Sequence, residues 1–238
     1  MLHEALETWF HVDGTFLRGF YDLLFRPGRM TREFNAGQRA RHVPPLRFYF
    51  VLSVVFFFVF SLAPRSDALA VSPTPPDLAA LRAGAETGRI DRFVSELQAQ
   101  SLENPAGLRD AFVKAVPKMM LLCLPLFALY TRILNRRRNW VYLQHLIFAV
   151  HFHSFVYLLI LVTSGWSQLL ALGSPGVASA VRGAATVYVP LYLFLALHHC
   201  FPGSWFRNLI KTIILAWAYL FTLVAAGLAT LLLAFWLI

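Results

Sequence analysis

Five of the eight histidines stand where a membrane would make them conspicuous. His145, His151 and His153 share one apolar run, and His198 and His199 close the next. An imidazole at that depth binds a metal or haem, passes a proton, or hydrogen-bonds a neighbouring helix, and each use needs a different geometry. A helix rises about 1.5 Å per residue, so His145 and His153 differ in depth by about 12 Å. At about 100° per residue His151 and His153 point to nearly opposite sides. One metal with ligand bonds of about 2 Å therefore cannot take all three from a straight helix.

The five separate into two groups. His198 and His199 return to roughly the depth of His145, so His145 with His198 or His199 is the candidate haem or metal pair. His151 and His153, with Tyr188 and Tyr192 on the next run, form a candidate midplane polar cluster or proton path. Ser154 and Tyr157 are further hydrogen-bonding candidates. Neither Asp nor Glu occurs in these runs, which deprives a relay of its usual carboxylate. Catalytic signatures are missing as well: there is no Gly-rich phosphate loop, no HExxH and no GxSxG. Cys123 and Cys200 form no CxxC and read as small buried hydrophobes. No catalytic residue is assigned, no cofactor is expected, and a non-catalytic role follows.

Composition states where these residues must live. Of 238 residues 58% are hydrophobic and only 14% charged, against about a quarter charged in a soluble domain. So few charges cannot coat a water-exposed surface, whereas lipid needs no such coat. The net charge of +9 is unevenly placed, with nine Lys/Arg and no acidic residue after residue 110. These basic residues lie between apolar runs rather than on a soluble face. They therefore mark orientation and anionic-lipid contact, and no nucleic-acid partner is expected.

The expected fold is an all-α membrane protein of about five spans. Residues 1–46 form a cytoplasmic, amphipathic region of two or three helices, ended in part by Arg26-Pro27-Gly28, with Thr31 as a cap. Residues 47–63 are the first span, led in by Pro44-Pro45. Residues 64–117 are a small extracytoplasmic excursion: a Pro-rich linker, a surface helix over 91–103 and a helix start at Asn104-Pro105. Residues 118–238 hold four more spans, at 118–134, 141–164, 183–200 and 208–238, with a loop over 165–182. Lys/Arg in the short loops place the N-terminus inside and the C-terminus outside. Arg26, Arg29, Arg32, Arg39 and Arg41, with Arg136, Arg137 and Arg138, are the candidate docking residues for anionic headgroups or a protein partner.

Two stretches carry a family resemblance. One is Arg26-Pro27-Gly28 followed by residues 37–45, GQRARHVPP, and the first span. The other is Leu124-Pro125-Leu126-Phe127-Ala128, the Arg136–Arg138 cluster and residues 144–155, QHLIFAVHFHSF. In this order they resemble an uncharacterised bacterial inner-membrane family, catalogued as a domain of unknown function. Many of its members begin with a zinc ribbon that is absent here, and Gln144 stands where they tend to have Glu. The resemblance implies a multi-pass protein of the bacterial inner membrane and no known activity. The reading is an accessory or interaction protein that docks anionic lipid, a membrane partner or a second copy. The alternatives are a haem- or metal-binding membrane protein and a small transporter or proton-coupled channel.

Overall fold

A computed structural model describes residues 14–62, 105–136, 139–171 and 174–237. They form helices α1 (Gly14–Phe25), α2 (Arg29–Asn35), α3 (Pro45–Leu62), α4 (Pro105–Leu134), α5 (Tyr142–Ala171), α6 (Pro175–Cys200) and α7 (Trp205–Leu237), with a short 3₁₀ turn at Arg39–Arg41 before α3. No strand occurs among the described residues. Five helices are long and apolar enough to cross a bilayer, within Arg39–Ser61, Ala111–Leu134, Tyr142–Gln168, Pro175–Cys200 and Trp205–Leu233. A helix satisfies its own backbone hydrogen bonds, which is what a chain in hydrocarbon requires. The chain is a multi-pass helical membrane protein.

Several boundaries differ from expectation for readable reasons. The expected loop over 165–182 is largely helical, since α5 continues to Ala171 and α6 begins at Pro175. Pro175 stands at the first helical position with Ser174 as N-cap, where a missing N–H costs nothing. Asn104-Pro105 does start a helix, but α4 runs from Pro105 straight into the second span. Thr31 is not a cap. Gly28 holds that place in the left-handed region at φ 75°, and Thr31 lies inside α2, buried. The helix expected over 91–103, the Pro-rich linker, the first eleven residues' apolar spacing, Arg137 and Arg138 lie outside the described residues.

Two compact units divide the chain. One comprises residues 1–60 and 123–220, the other 61–122 and 221–238. In the first, α5 and α6 pack together, α1 packs on α5 and α2 packs on both. Phe155 of α5 stacks on Tyr192 of α6 at 3.5 Å between ring centres. Phe127 of α4 stacks on Phe152 of α5 at 5.1 Å and meets Tyr219 of α7 edge-on at 4.8 Å. Tyr157 of α5 stacks on Phe56 of α3 at 4.8 Å. Lipid tails are as apolar as these side chains, so close packing and hydrogen bonds, not expulsion from water, hold such helices together. The second unit holds the N-terminal part of α4, residues 105–122, and the C-terminal part of α7, residues 221–237.

Candidate functional site

The densest polar chemistry lies where the α1–α2 hairpin meets α5 and α6. The hairpin turns at Pro27-Gly28, where α1 ends with carbonyls that lack helical partners, while the Gly28 carbonyl already accepts from the Arg32 N–H at 3.0 Å. The neighbouring helices supply further donors. His199 Nδ1 donates to the Pro27 carbonyl at 2.7 Å, Cys200 Sγ to the Gly28 carbonyl at 3.3 Å, and the Tyr188 hydroxyl to the Leu24 carbonyl. Further along, Thr31 Oγ1 meets His151 Nδ1 at 2.9 Å, and Asn35 Nδ2 donates to the Gln144 carbonyl at 3.3 Å. Gly28 makes the approach possible. A Cβ there would lie 2.7 Å from the Ala196 carbonyl oxygen and 3.1 Å from Cys200 Sγ.

Interhelical hydrogen bonds in membranes average about 0.6 kcal/mol each, so five of them contribute about 3 kcal/mol to seating the hairpin. Packing adds to this. Phe16 and Phe20 of α1 pack against Phe48 of α3 at 5.0 and 5.3 Å, and Leu23 is buried. The opposite side of α1 exposes Leu17, Tyr21 and Phe25, residues four apart on one helical face. An apolar outward face suits lipid rather than water. The described N-terminal helices are therefore anchored into the bundle.

Charges beside the hairpin satisfy one another. Asp22, buried in α1, accepts from Arg26 at 3.1 Å, with Arg29 at 3.9 Å. Arg29 Nε donates to Glu33 at 2.6 Å, and His42 Nε2 lies 2.9 Å from the other Glu33 oxygen. The hydrogen bond from Arg29, joined by that from His42, holds the Glu33 carboxyl below the ordinary carboxylate range despite partial burial. Asp22–Arg26 and Arg29–Glu33 are both four apart, a spacing that does announce such pairs. Arg32, Arg39, Arg41 and Arg136 are exposed, and Arg39 also lies over the Phe34 ring at 5.7 Å.

His153 faces the other way. Its Nδ1 must donate to the Ala149 carbonyl at 2.8 Å, since a carbonyl only accepts. In the neutral ring Nε2 then accepts, from the Tyr219 hydroxyl of α7. His151 and His153 thus serve opposite faces of α5, as their spacing implies. Their partners are Thr31 and Tyr219, not the Ser154 and Tyr157 that spacing alone suggested; Ser154 donates to its own helix at Val150. Tyr192 stacks on Phe155 on the hairpin side, so Tyr188, Tyr192 and His151 share one side and His153 the other.

The other three histidines have separate surroundings. His145 is fully buried, stacked on Phe201 at 5.4 Å and edge-on to Trp140 at 5.6 Å. Neither of its ring nitrogens meets a hydrogen-bond partner among the described residues. His198 Nδ1 accepts from Asn208 Nδ2 at 3.0 Å, while His199 is engaged by Pro27. Among the described residues no three His, Cys, Asp or Glu side chains gather as a metal-holding group. Gln144, in place of the expected Glu, accepts from the Val141 N–H at 3.0 Å and so caps α5 from its third residue.

A cavity of about 600 Å³ opens where α4 ends and α7 begins. Asn135, Arg136, Arg207 and Lys211 line it together with Ile133 and Phe201. Asn135 Nδ2 donates to the Thr131 carbonyl at 2.9 Å, and its oxygen accepts from Lys211 Nζ at 2.7 Å. Sequence spacing gives no hint of this grouping beyond its basic character, because its parts lie over seventy residues apart and only the fold assembles them.

The fold and these sites define a polytopic helical membrane protein whose N-terminal hairpin is locked to two of its spans. Residues 13–57 match the model of a family described as a protein of unknown function, DUF3667. That stretch contains the whole hairpin, the 3₁₀ turn and most of α3, and over it the chain is similar to that family. No curated protein and no solved structure matches the chain.

Proposed function

We propose that the protein is a non-catalytic accessory protein of the bacterial inner membrane, with its N-terminus in the cytoplasm and its C-terminus outside. It presents a basic platform to anionic lipid and to a membrane partner. The observation that carries this reading is the pairing of a rigidly seated hairpin with exposed Arg32, Arg39 and Arg41 beside it. A docking surface held in place loses little conformational entropy on binding. The orientation rests on the basic loops around Arg136 and Arg207, which the positive-inside rule keeps in the cytoplasm.

A photo-crosslinker at position 39 of the full chain, in native membranes, tests it. One dominant adduct, lost when Arg32 and Arg41 are replaced by Gln, is expected. Many weak adducts that ignore those replacements would contradict it. A second reading, a haem- or metal-binding protein, is favoured by one fact: His145 is buried and neither ring nitrogen meets a partner among the described residues. A visible spectrum and elemental analysis of the purified protein decide it, since a site of this kind must be filled at near one equivalent per chain.

A further inference from the structure

The geometry points to the cavity between the end of α4 and the start of α7 as a specific binding site for the headgroup of an anionic phospholipid. Three cationic side chains, Arg136, Arg207 and Lys211, converge on one space of about 600 Å³. Among the described residues no acidic side chain lines it, and the sequence after residue 110 contains none. Clustered cations raise one another's electrostatic energy, and a phosphate relieves that repulsion through charge-assisted hydrogen bonds. Arginine forks match phosphate oxygens in pairs, while lysine adds a point charge.

The cavity is also placed for a lipid rather than a soluble anion. Its members stand at the ends of membrane-crossing helices: α4 leaves its span at Leu134, and α7 enters its own at Trp205. Ile133 lines the cavity, and Leu126, Leu129 and Ile133 form one exposed face of α4. On α7, Ile210 and Ile214 are exposed three and seven residues beyond Arg207, on the same face. Exposed apolar strips thus run from the cavity into the hydrocarbon on both helices, where acyl chains lie when the headgroup sits among the cations. Trp205, the exposed first residue of α7, suits an interfacial anchor.

Asn135, buried and fixed by Thr131, holds Lys211. The inference shares with the proposed platform only the basic character of the cytoplasmic side, and it engages different residues.

Native mass spectrometry of the detergent-purified full chain tests it, with phosphatidylglycerol, phosphatidylcholine and glycerol 3-phosphate as separate probes. One phosphatidylglycerol per chain is expected to be retained at least tenfold more strongly than phosphatidylcholine. Glycerol 3-phosphate at millimolar concentration should neither bind nor displace it. The double variant R136Q/R207Q should lower retention to the phosphatidylcholine level, and the R32Q/R39Q/R41Q variant should leave it intact. The single variant R207Q, at an exposed residue, serves if the double variant does not fold, and it should weaken retention severalfold. Equal retention of the two lipids overturns the inference, as does retention unaffected by both the double variant and R207Q. Tight binding of glycerol 3-phosphate also overturns it, in favour of a soluble phosphate ligand. Loss of retention only in R32Q/R39Q/R41Q would move lipid binding to the platform, so the two readings fail separately.

Discussion

Replacing Gly28 by alanine separates two costs that usually come together. Gly28 and Gly37 both have positive φ, 75° and 93°, so alanine at either position pays about 1–2 kcal/mol for the left-handed backbone. At Gly37 an added Cβ meets open space, whereas at Gly28 it would fall 2.7 Å from the Ala196 carbonyl oxygen and 3.0 Å from its Cα. These are backbone atoms of a packed helix and cannot swing aside. Overpacking adds about 1–3 kcal/mol, so Gly28→Ala should destabilise by about 2–5 kcal/mol in total. Cys200 supplies the assay, because it is fully buried and its thiol donates to the Gly28 carbonyl. Maleimide labelling, located by peptide mass spectrometry, reads how often the hairpin leaves α6. The steric part alone should speed Cys200 labelling roughly 5- to 150-fold over Gly37→Ala. Equal labelling in the two variants would refute the close approach of the turn to α6.

Other expectations follow from single contacts. Thr31→Val keeps the shape but leaves buried His151 without its hydroxyl partner, and it should cost about 1–3 kcal/mol in thermal or denaturant unfolding; a change within error would remove Thr31 from the seat. His153→Phe and Tyr219→Phe, taken through a double-mutant cycle, should show a coupling of about 0.6–1.7 kcal/mol, and independent effects would deny the bond. Glu33 predicts a pH dependence: its carboxyl titrates below the ordinary 4.5 in the folded chain. Its stabilisation is therefore complete above that value and fades as pH falls below it through the depressed folded-state value. Unfolding followed from pH 7 to 3 should show this loss in the wild type and less of it in Glu33→Gln, and identical profiles would contradict the pairing.

Much of the architecture is legible because membranes impose simple rules. Long apolar runs without acids, separated by arginines, can satisfy their backbone only as spanning helices, and five helices long and apolar enough to span are found. The opposed directions of His151 and His153 follow from helical geometry and hold in the fold. The extension of α6 back to Pro175 was less visible, because Gly173-Ser174-Pro175-Gly176 reads equally as a turn or as a cap with proline at the first position. Thr31 illustrates the deeper limit. Its type and place suggest a cap, a local role, but its partner lies 120 residues away. Spacing rules see neighbours on one helix and not pairs across helices. The basic cavity escaped for the same reason, since Asn135 and Lys211 are 76 residues apart.

The hairpin seated between α5 and α6 is tested most directly by a paired-cysteine experiment. Thr31→Cys with His151→Cys, placed in a chain whose Cys123 and Cys200 are replaced by alanine, brings two thiols to positions now bridged at 2.9 Å. Mild oxidation in native membranes should join the peptides carrying positions 31 and 151 within minutes. The control pair Arg32→Cys with His151→Cys, using an exposed residue, should stay reduced. No bond at 31/151, or equal bonding at 32/151, would contradict the docked arrangement.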